Sequence, residues 1–432
     1  MSTSWLYRIA SRVTVSLLPL ATPFNDKLRR GVEGRRGSVD RLRDWAERWR
    51  TTERPLVWFH APSVGEGLQA APVITRLRRC HPEWQLGYTY FSPSAEAWAG
   101  TLNADVADYL PYDRPAEVGA ALDALAPAAL VFTKLDLWPE LVAQAVARNI
   151  PVGLIAGTVS KTSGRGRWPV REVLRPAYAA LTRAGAVSAT DAEHLASLSV
   201  PRDRIEVLGD PRYDSVRERW LAFQAVAMGS APAGDPCTLV AGSTWPADEN
   251  VLLDALVEVR KQRPDAKLLL APHEPTPEHL ERVERAAARR GLPVPRRLKT
   301  SPQDWQILLV DRIGVLAQLY GAGGAAYVGG GFGRAGLHSV LEPSAWGIPV
   351  CFGPRWRGSR DAGLLLEAGA AMALPARPDG AATVLAERWR EWLEDQGQRI
   401  ERGRRARGVL EAGLGAADRC TALVEGLVRQ RT

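Results

Sequence analysis

A single acid, Glu66, sits between Gly65 and Gly67 in PLVWFHAPSVGEGLQAAPVI, residues 55–74. An apolar run precedes it and another apolar segment follows, so it falls in a loop between two elements. A carboxylate in that place can act as a general base. It can equally be punctuation, because acids are favoured in the first turn of a helix. A second signal lies in YVGGGFGRAGLHSVLEPSAWGIPVCFGPR, residues 327–355, where Gly329, Gly330, Gly331, Gly333 and Gly336 fall within eight positions. Glycines allow close backbone approach and positive φ, and a helix pattern from about His338 would offer free N–H groups to a phosphate. The GK[ST] ending of a P-loop is absent, and the spacing is not that of a dinucleotide fingerprint. Glu342, about one turn further on, has the chemistry to bind two vicinal ribose hydroxyls, and His338 can donate to phosphate or sugar oxygens. A helix-start carboxylate and a structural histidine explain the same two residues equally well.

Other polar groups follow apolar runs in the same half. Ser243 and Thr244 lie in AGSTWPADE, His273 and Glu274 in APHEPTPEHL, and Asp311 and Arg312 in VDRIGVLAQLY. Together they fit a nucleotide site, although each alone fits a helix cap. In the first half, the loops APSVGEG, SPSAE, TKLDLWPE and AGTVSKTSGRGR bring Ser63, Ser92, Ser94, Lys134, Asp136, Ser160, Lys161, Arg165 and Arg167. That lining is basic and rich in hydroxyls, and it suits an anionic substrate.

The elements that must position these loops repeat one pattern. LVWFHA, LGYTYF, AALVFT and PVGLIAG are short apolar runs, most of them followed by a helical pattern. Such runs predict buried strands of a parallel sheet. The pattern breaks at FQAVAMGSAPAGDPC and restarts with TLVAGS, KLLLAP, ILLVD, AAYVGG and PVCFGP. The expectation is an α/β protein of two Rossmann-like, doubly wound domains, 1–225 and 236–432, with a cleft between them. Ligands of such sheets bind at the carboxyl ends of the strands. The Arg- and Glu-rich segment after about residue 380 reads as a solvated helical tail.

The chain has 432 residues, with 56 Lys+Arg against 48 Asp+Glu for a net charge of +8. The basic residues are scattered, with denser patches at Arg29–Arg36 and Arg399–Arg407, and no nucleic-acid-binding signature accompanies them. No nucleic-acid partner is expected. Cys80, Cys237, Cys351 and Cys420 lie far apart, without metal-ligand spacing, so no metal is expected. The segment SWLYRIASRVTVSLLPLA is too short and too charged for a membrane span. Followed by Lys27, Arg29, Arg30, Arg35 and Arg36, residues 1–36 have the character of a segment lying on an anionic membrane surface. A first helix packed on the domain accounts for them as well.

Read in order, these segments resemble the Kdo transferase family of lipopolysaccharide assembly, which moves 3-deoxy-D-manno-octulosonic acid from its CMP ester to lipid A precursor. HAPSVGEG resembles the family's HAxSVGE, and DYLPYDRP its YLPYD element. VLGDPRYD resembles VTGNxKxD, AGSTWPADE resembles AGSTHxGEE, and GGGFGRAGLHSVLEPSAWGIPVCFGP resembles GGGFGxGIHNxLEPxxxGxPVxFGP. The resemblance spans nearly the whole chain. It implies a GT-B fold, an acceptor-binding first domain, a second domain that binds the nucleotide sugar, and inverting transfer with no cofactor beyond the CMP-Kdo donor. By position, Glu66 matches the general base. His338 and the glycines from Gly329 match the phosphate cradle, with Ser339 beside them, and Glu342 matches the ribose ligand. Ser243, Thr244 and His273 join the donor side; Ser63, Lys134, Asp136, Lys161 and Arg165 fall on the acceptor side. The implied partners are lipid A precursor and the anionic cytoplasmic face of the inner membrane.

The chain departs from the family pattern where TETExWP reads Thr133–Pro139 with Lys134 and Asp136, where Trp245 replaces a histidine, and where Ser339 replaces an asparagine. These departures leave open a changed acceptor, a changed number of transferred sugars or lost activity; the alternatives to the family reading are a GT-B transferase or epimerase using another nucleotide sugar, or a catalytically diverged homologue.

Overall fold

The computed structural model describes residues 5–159, 164, 168–227, 234–300, 304–334 and 336–431. Lys161 and Arg165, expected on the acceptor side, lie outside these residues, as do Ser160 and Arg167.

The chain forms two compact units, residues 1–215 with 413–432, and residues 216–412. The first holds a parallel sheet of seven strands: β1 (Leu56–His60), β2 (Gln85–Tyr90), β3 (Val106–Tyr109), β4 (Ala129–Thr133), β5 (Val152–Gly157), β6 (Arg183–Ala186) and β7 (Ile205–Val207). Their order is β3-β2-β1-β4-β5-β6-β7. The second unit holds β8 (Asp235–Thr244), β9 (Lys267–Pro272), β10 (Arg296–Arg297), β11 (Ile307–Leu309), β12 (Gly323–Val328), β13 (Val350–Phe352) and β14 (Ala371–Ala373), in the order β10-β11-β9-β8-β12-β13-β14. Every residue of β1, β4, β5 and β12 is buried. This is why their sequences read as continuous apolar runs: helices cover both faces of a parallel sheet.

The first order reverses direction once, at β1; the second reverses at β8 and again near its edge, where β11 inserts between β10 and β9. In the first sheet β1 pairs with both β2 and β4, His60 standing opposite Phe132. In the second, β8 pairs with both β9 and β12, Gly242 standing opposite Val328. The loops leaving β1 and β4, and those leaving β8 and β12, therefore diverge at a topological switch point, where such sheets bind ligands.

The expected boundaries need two corrections. The break between units falls inside the helix Arg212–Ala227, earlier than residue 225, because Trp220 already packs edge-on against Trp346 of the second unit. The C-terminal segment is not a solvated tail throughout. The helix Ala416–Arg429 buries Cys420, Leu423, Val424 and Leu427 with Val57, Val131 and Ile155 in the core of the first unit. Asp214 accepts hydrogen bonds from Gly415 N (2.7 Å) and Ala417 N (2.8 Å), satisfying amides that the helix start leaves unpaired.

At the other end, the helix Trp5–Ala21 rests on the first unit through one face. Tyr7 Oη donates to Asp113 Oδ2 (2.5 Å), Arg8 donates to both oxygens of buried Glu140 (2.9 and 3.1 Å), and Ser11 Oγ donates to Asp113 O (3.1 Å). Trp5, Ile9, Val13 and Leu17, at four-residue spacing, lie exposed along another face. Arg35 also departs from expectation. It is buried, donating to the carbonyls of Leu110 and Phe91 with its guanidinium 4.0 Å from the Phe91 ring, so it is withdrawn from any surface cluster. Among the described residues no helix is long and apolar enough to cross a membrane.

Candidate active site

Glu66 lies in the first turn of the helix Val64–Cys80, which begins directly after β1. Ser63 holds the N-cap position, three residues before an acid, and that spacing reads as a capping box. The structure does otherwise. The Ser63 hydroxyl makes no cap bond and donates to Glu66 Oε2 instead. Lys134, the first residue after β4, donates from Nζ to Glu66 Oε1 at 3.0 Å. Burial alone would raise the Glu66 carboxyl; the Ser63 hydrogen bond and the Lys134 ammonium outweigh it and hold the group below the ordinary glutamate range. Lys134 takes this position with φ +67°, its amide donating to Ile155 O at 2.9 Å. A non-glycine residue there carries backbone strain of the kind that gathers at functional sites.

Asp136 sits beside a residue that sequence reasoning left in the strand. His60, fully buried at the end of β1, is 3.6 Å from Asp136 Oδ2 through Nε2. The Trp138 indole donates to His60 Nε2 (3.1 Å) and to Asp136 Oδ2 (3.2 Å). An indole N–H is donor only, so His60 Nε2 accepts and its proton sits on Nδ1, facing Thr89 Oγ1 at 3.1 Å. The available signal was the histidine in HAPSVGEG.

In the second unit, β8 ends at Ser243, with φ +53°, and Thr244. Trp245 then caps the helix Pro246–Arg260. Asp248, buried in that helix's first turn, accepts from Trp245 N (2.9 Å), Gly330 N (3.0 Å) and the Tyr327 hydroxyl (2.6 Å). It ties the turn after β8 to the turn after β12, and sequence reasoning missed it within AGSTWPADE. The glycines serve the same junction. A Cβ on Gly329 would stand 2.3 Å from Ser243 O, and one on Gly331 2.7 Å from Gly353 Cα. Gly330 has φ +92°, and a Cβ there would meet Gly336 O at 2.1 Å. Gly333 N donates back to Gly330 O at 3.3 Å.

Three rings gather beside this turn. Trp245 stacks on His273 with centroids 4.9 Å apart, and His273 lies 4.5 Å from His338. Trp245 Nε1 donates to His338 Nε2 at 3.2 Å. Burial, then the neighbouring His273, pushes His338 down from 6.5 to about 4. The helix expected from about His338 begins later, at Leu341, and spans six residues to Trp346. The glycines and His338 need extended and turn backbone to pack on β8, which delays it. Ser339 is exposed just before that helix. Glu342 turns to Arg219, 3.3 Å away, and burial raises its carboxyl against that cation. Arg219 was not foreseen. Thr244 is fully buried, its hydroxyl donating to Glu249 (3.2 Å), so it supports the turn and offers nothing outward. A cavity of about 850 Å³, lined by Asp235, Gly323, Pro349 and Trp305 among others, opens at the amino-terminal edge of the second sheet and contains none of the expected site residues. Among the described residues no group of three or more His, Cys, Asp or Glu side chains is placed to hold a metal ion.

A family model described as 3-deoxy-D-manno-octulosonic-acid transferase (kdotransferase) matches residues 40–215. The 3-deoxy-D-manno-octulosonic acid transferase of Bordetella pertussis is 30% identical over 351 residues, covering 77% of this chain and 79% of that protein. The chain belongs to the 3-deoxy-D-manno-octulosonic acid transferase family. The Haemophilus influenzae enzyme of the same name is 26% identical over 69% of this chain and 70% of its own. Among solved structures, UDP-GlcNAc 2-epimerase from Neisseria meningitidis bound to UDP-GlcNAc matches with TM-score 0.60 and 14% identity, covering 87% of this chain and 100% of that one. MurG from Acinetobacter baumannii matches with TM-score 0.54 and 14% identity, covering 86% and 99%. At such identity these likenesses carry the fold alone: GT-B, with two Rossmann-like units. For this member of the transferase family, the departures at Lys134 and Trp245 have a definite place. One pairs with Glu66 and the other holds His338.

Proposed function

We propose that this chain transfers Kdo from CMP-Kdo to a lipid A precursor, with inversion at the anomeric carbon. The acceptor hydroxyl oxygen attacks that carbon while Glu66 takes its proton, and CMP leaves with the bonding electron pair on its phosphate. The neutral His338 ring stabilises the leaving phosphate as a fixed donor, and the Gly329–Gly333 turn, whose Gly329, Gly330 and Gly333 amides already bond within the fold, lets the phosphate approach the backbone closely. Glu342 and Arg219 address the ribose side, and no cofactor other than the donor substrate is assigned. The observation that carries this reading is the placement of Glu66 at the switch point of the first sheet, with hydrogen-bond donors on both oxygens that keep it ionised. The test is incubation with CMP-Kdo and lipid A precursor, reading products by mass, beside titrations with CMP and UDP. A product heavier by one or more Kdo residues, with CMP bound more tightly than UDP, is expected. Tighter UDP binding with no Kdo adduct would favour a transferase or epimerase using another nucleotide sugar.

The exposed face of the N-terminal helix supports a second assignment, attachment to the cytoplasmic face of the inner membrane. Trp5, Ile9, Val13, Leu17, Leu20 and Phe24 point outward, next to exposed Lys27, Arg30 and Arg36. An apolar stripe flanked by cations binds anionic bilayers. Replacing Ile9, Val13 and Leu17 with Gln leaves the Tyr7, Arg8 and Ser11 contacts in place. The variant should lose binding to phosphatidylglycerol vesicles while its CMP affinity stays unchanged. Equal vesicle binding by the two proteins would refute the attachment.

A further inference from the structure

Both oxygens of Glu66 are occupied in the structure. Oε2 accepts from the Ser63 hydroxyl and Oε1 from the Lys134 ammonium at 3.0 Å. Each carboxylate oxygen keeps a second lone pair, but a donor already on it, an ammonium above all, stabilises the ionised form and so weakens the group as a base. Ser63 belongs to the same turn as Glu66 and is only half-buried. Lys134 comes from a different loop, and its side chain is 46% exposed against 18% for Glu66. The serine contact is local and short-ranged, whereas the lysine contact joins a mobile four-carbon stem to a group that other anions can reach. An ammonium is a compact charge with rotatable donors, and it exchanges one anion for another readily.

We propose that Lys134 is a reversible mask on Glu66. It holds the carboxylate in the resting protein and is drawn off by an anionic group of the acceptor, so that the base is freed only when acceptor is present. This rests on the reading of Glu66 as the base. It makes Lys134 a positioning residue that couples acceptor charge to base strength, and it assigns the acceptor an anion, of phosphate class, within reach of the β4 loop. Of the titratable groups around Glu66, Lys134 reaches it from that loop, and Tyr88 of β2, a buried phenol raised by burial and then by Glu66, faces it from the sheet. His60 and Asp136 face one another in the adjoining cluster, with Trp138 donating to both.

Two sets of measurements test this. The first is a carbon-13 NMR titration of the Glu66 carboxyl, identified by its loss in Glu66→Gln. It is run on wild type, Lys134→Met and Lys134→Arg, with N-acetylglucosamine 1-phosphate or neutral N-acetylglucosamine as probes. The midpoint should rise in Lys134→Met and stay low in Lys134→Arg. The phosphorylated sugar should raise the wild-type midpoint and leave Lys134→Met unmoved, and the neutral sugar should change neither. Equal midpoints in wild type and Lys134→Met, or no response of wild type to the phosphate, would overturn the mask.

The second is the pH profile of transfer. The free enzyme governs kcat/KM and the complex governs kcat. Lys134→Met should move the acid limb of kcat/KM to higher pH and leave that of kcat in place, because the lysine has already left Glu66 in the complex. Equal movement of both limbs would show that the lysine stays on Glu66 and would overturn the proposal. If Glu66→Gln transfers as fast as wild type, Glu66 is not the base. The NMR titration still decides whether an acceptor-like anion displaces Lys134.

Discussion

At the carboxyl end of β1 a carboxylate takes hydrogen bonds from a hydroxyl and an ammonium; at the carboxyl end of β8 an indole and a chain of backbone amides converge on an imidazole and a buried aspartate. Each loop leaves the first strand of its sheet, flanked by the strands on either side of the switch point, although the two orders differ because β11 inserts between β10 and β9. A non-glycine residue at positive φ stands beside each, Lys134 at +67° directly after β4 and Ser243 at +53° near the end of β8. What differs is the material. The first unit presents side chains that ionise. The second presents glycine backbone pressed against its own chain, with Asp248 collecting amides from both turns. Removing a proton requires a group that titrates, whereas holding a leaving phosphate requires donors that do not move. On the proposed function, the contrast places the chemical step in the first unit and the donor cradle in the second.

The largest effect that would sharpen this contrast is expected from Glu66→Gln. The amide keeps the size of the side chain and cannot take a proton, so transfer should fall about 10²–10⁴-fold, the usual contribution of a general base. CMP affinity should stay at the wild-type value, since every group assigned to the nucleotide lies in the other unit. A matching loss of CMP affinity, measured by calorimetry, would break the division of labour.

Gly330→Ala attacks the second loop through its backbone. Its φ of +92° disfavours any side chain, and the new Cβ would stand 2.1 Å from Gly336 O. Strain of this kind costs about 1–3 kcal/mol, and relieving it means moving the amide that Asp248 holds. CMP binding should weaken at least about tenfold, the equivalent of 1.4 kcal/mol, while the Glu66 carboxyl titrates as before. Unchanged CMP affinity would show that the glycines serve packing alone.

Much of this arrangement was legible in the sequence. Buried parallel strands announce themselves as unbroken apolar runs, and ligands of such sheets bind in the loops after them, so the placement of Glu66, His338 and the glycines after strands could be read directly. Contacts made through three-dimensional neighbours could not. That Lys134 would answer Glu66 depends on β1 pairing with β4, a fact of strand order that no local spacing encodes. His60 looked like a strand residue because it is one, and only the indole of Trp138 gives its ring a direction. Asp248 read as an ordinary first-turn acid, since its partners are amides whose positions depend on the fold. The C-terminal helix misled for a related reason. Its charged neighbours gave the tail a solvated composition, while the stripe from Cys420 to Leu427 packs against Val57, Val131 and Ile155, strand residues far earlier in the chain.

The smallest effect concerns protonation in the two loops, and it runs in parallel rather than in contrast. Donors around Glu66 keep it ionised, and the Trp245 indole, donating to Nε2, keeps His338 neutral with its proton on Nδ1. Both groups are thus held deprotonated, one charged and one not. His338 is displaced down to about 4, by burial first and by His273 second. Its unfolded value is higher, near 6.5, so the unfolded chain takes up the proton first. The contribution of this site to stability is present above pH 6.5 and is lost as pH falls from there toward 4. Nitrogen-15 NMR of the free protein should show the Nδ1–H tautomer unchanged from pH 8 to 5.5. Trp245→Phe removes a hydrogen bond made to the neutral form, which raises the midpoint and shrinks the loss of stability on acidification. A wild-type midpoint near 6.5 would mean that the second loop meets its phosphate with a cation, and the neutral cradle would have to be abandoned.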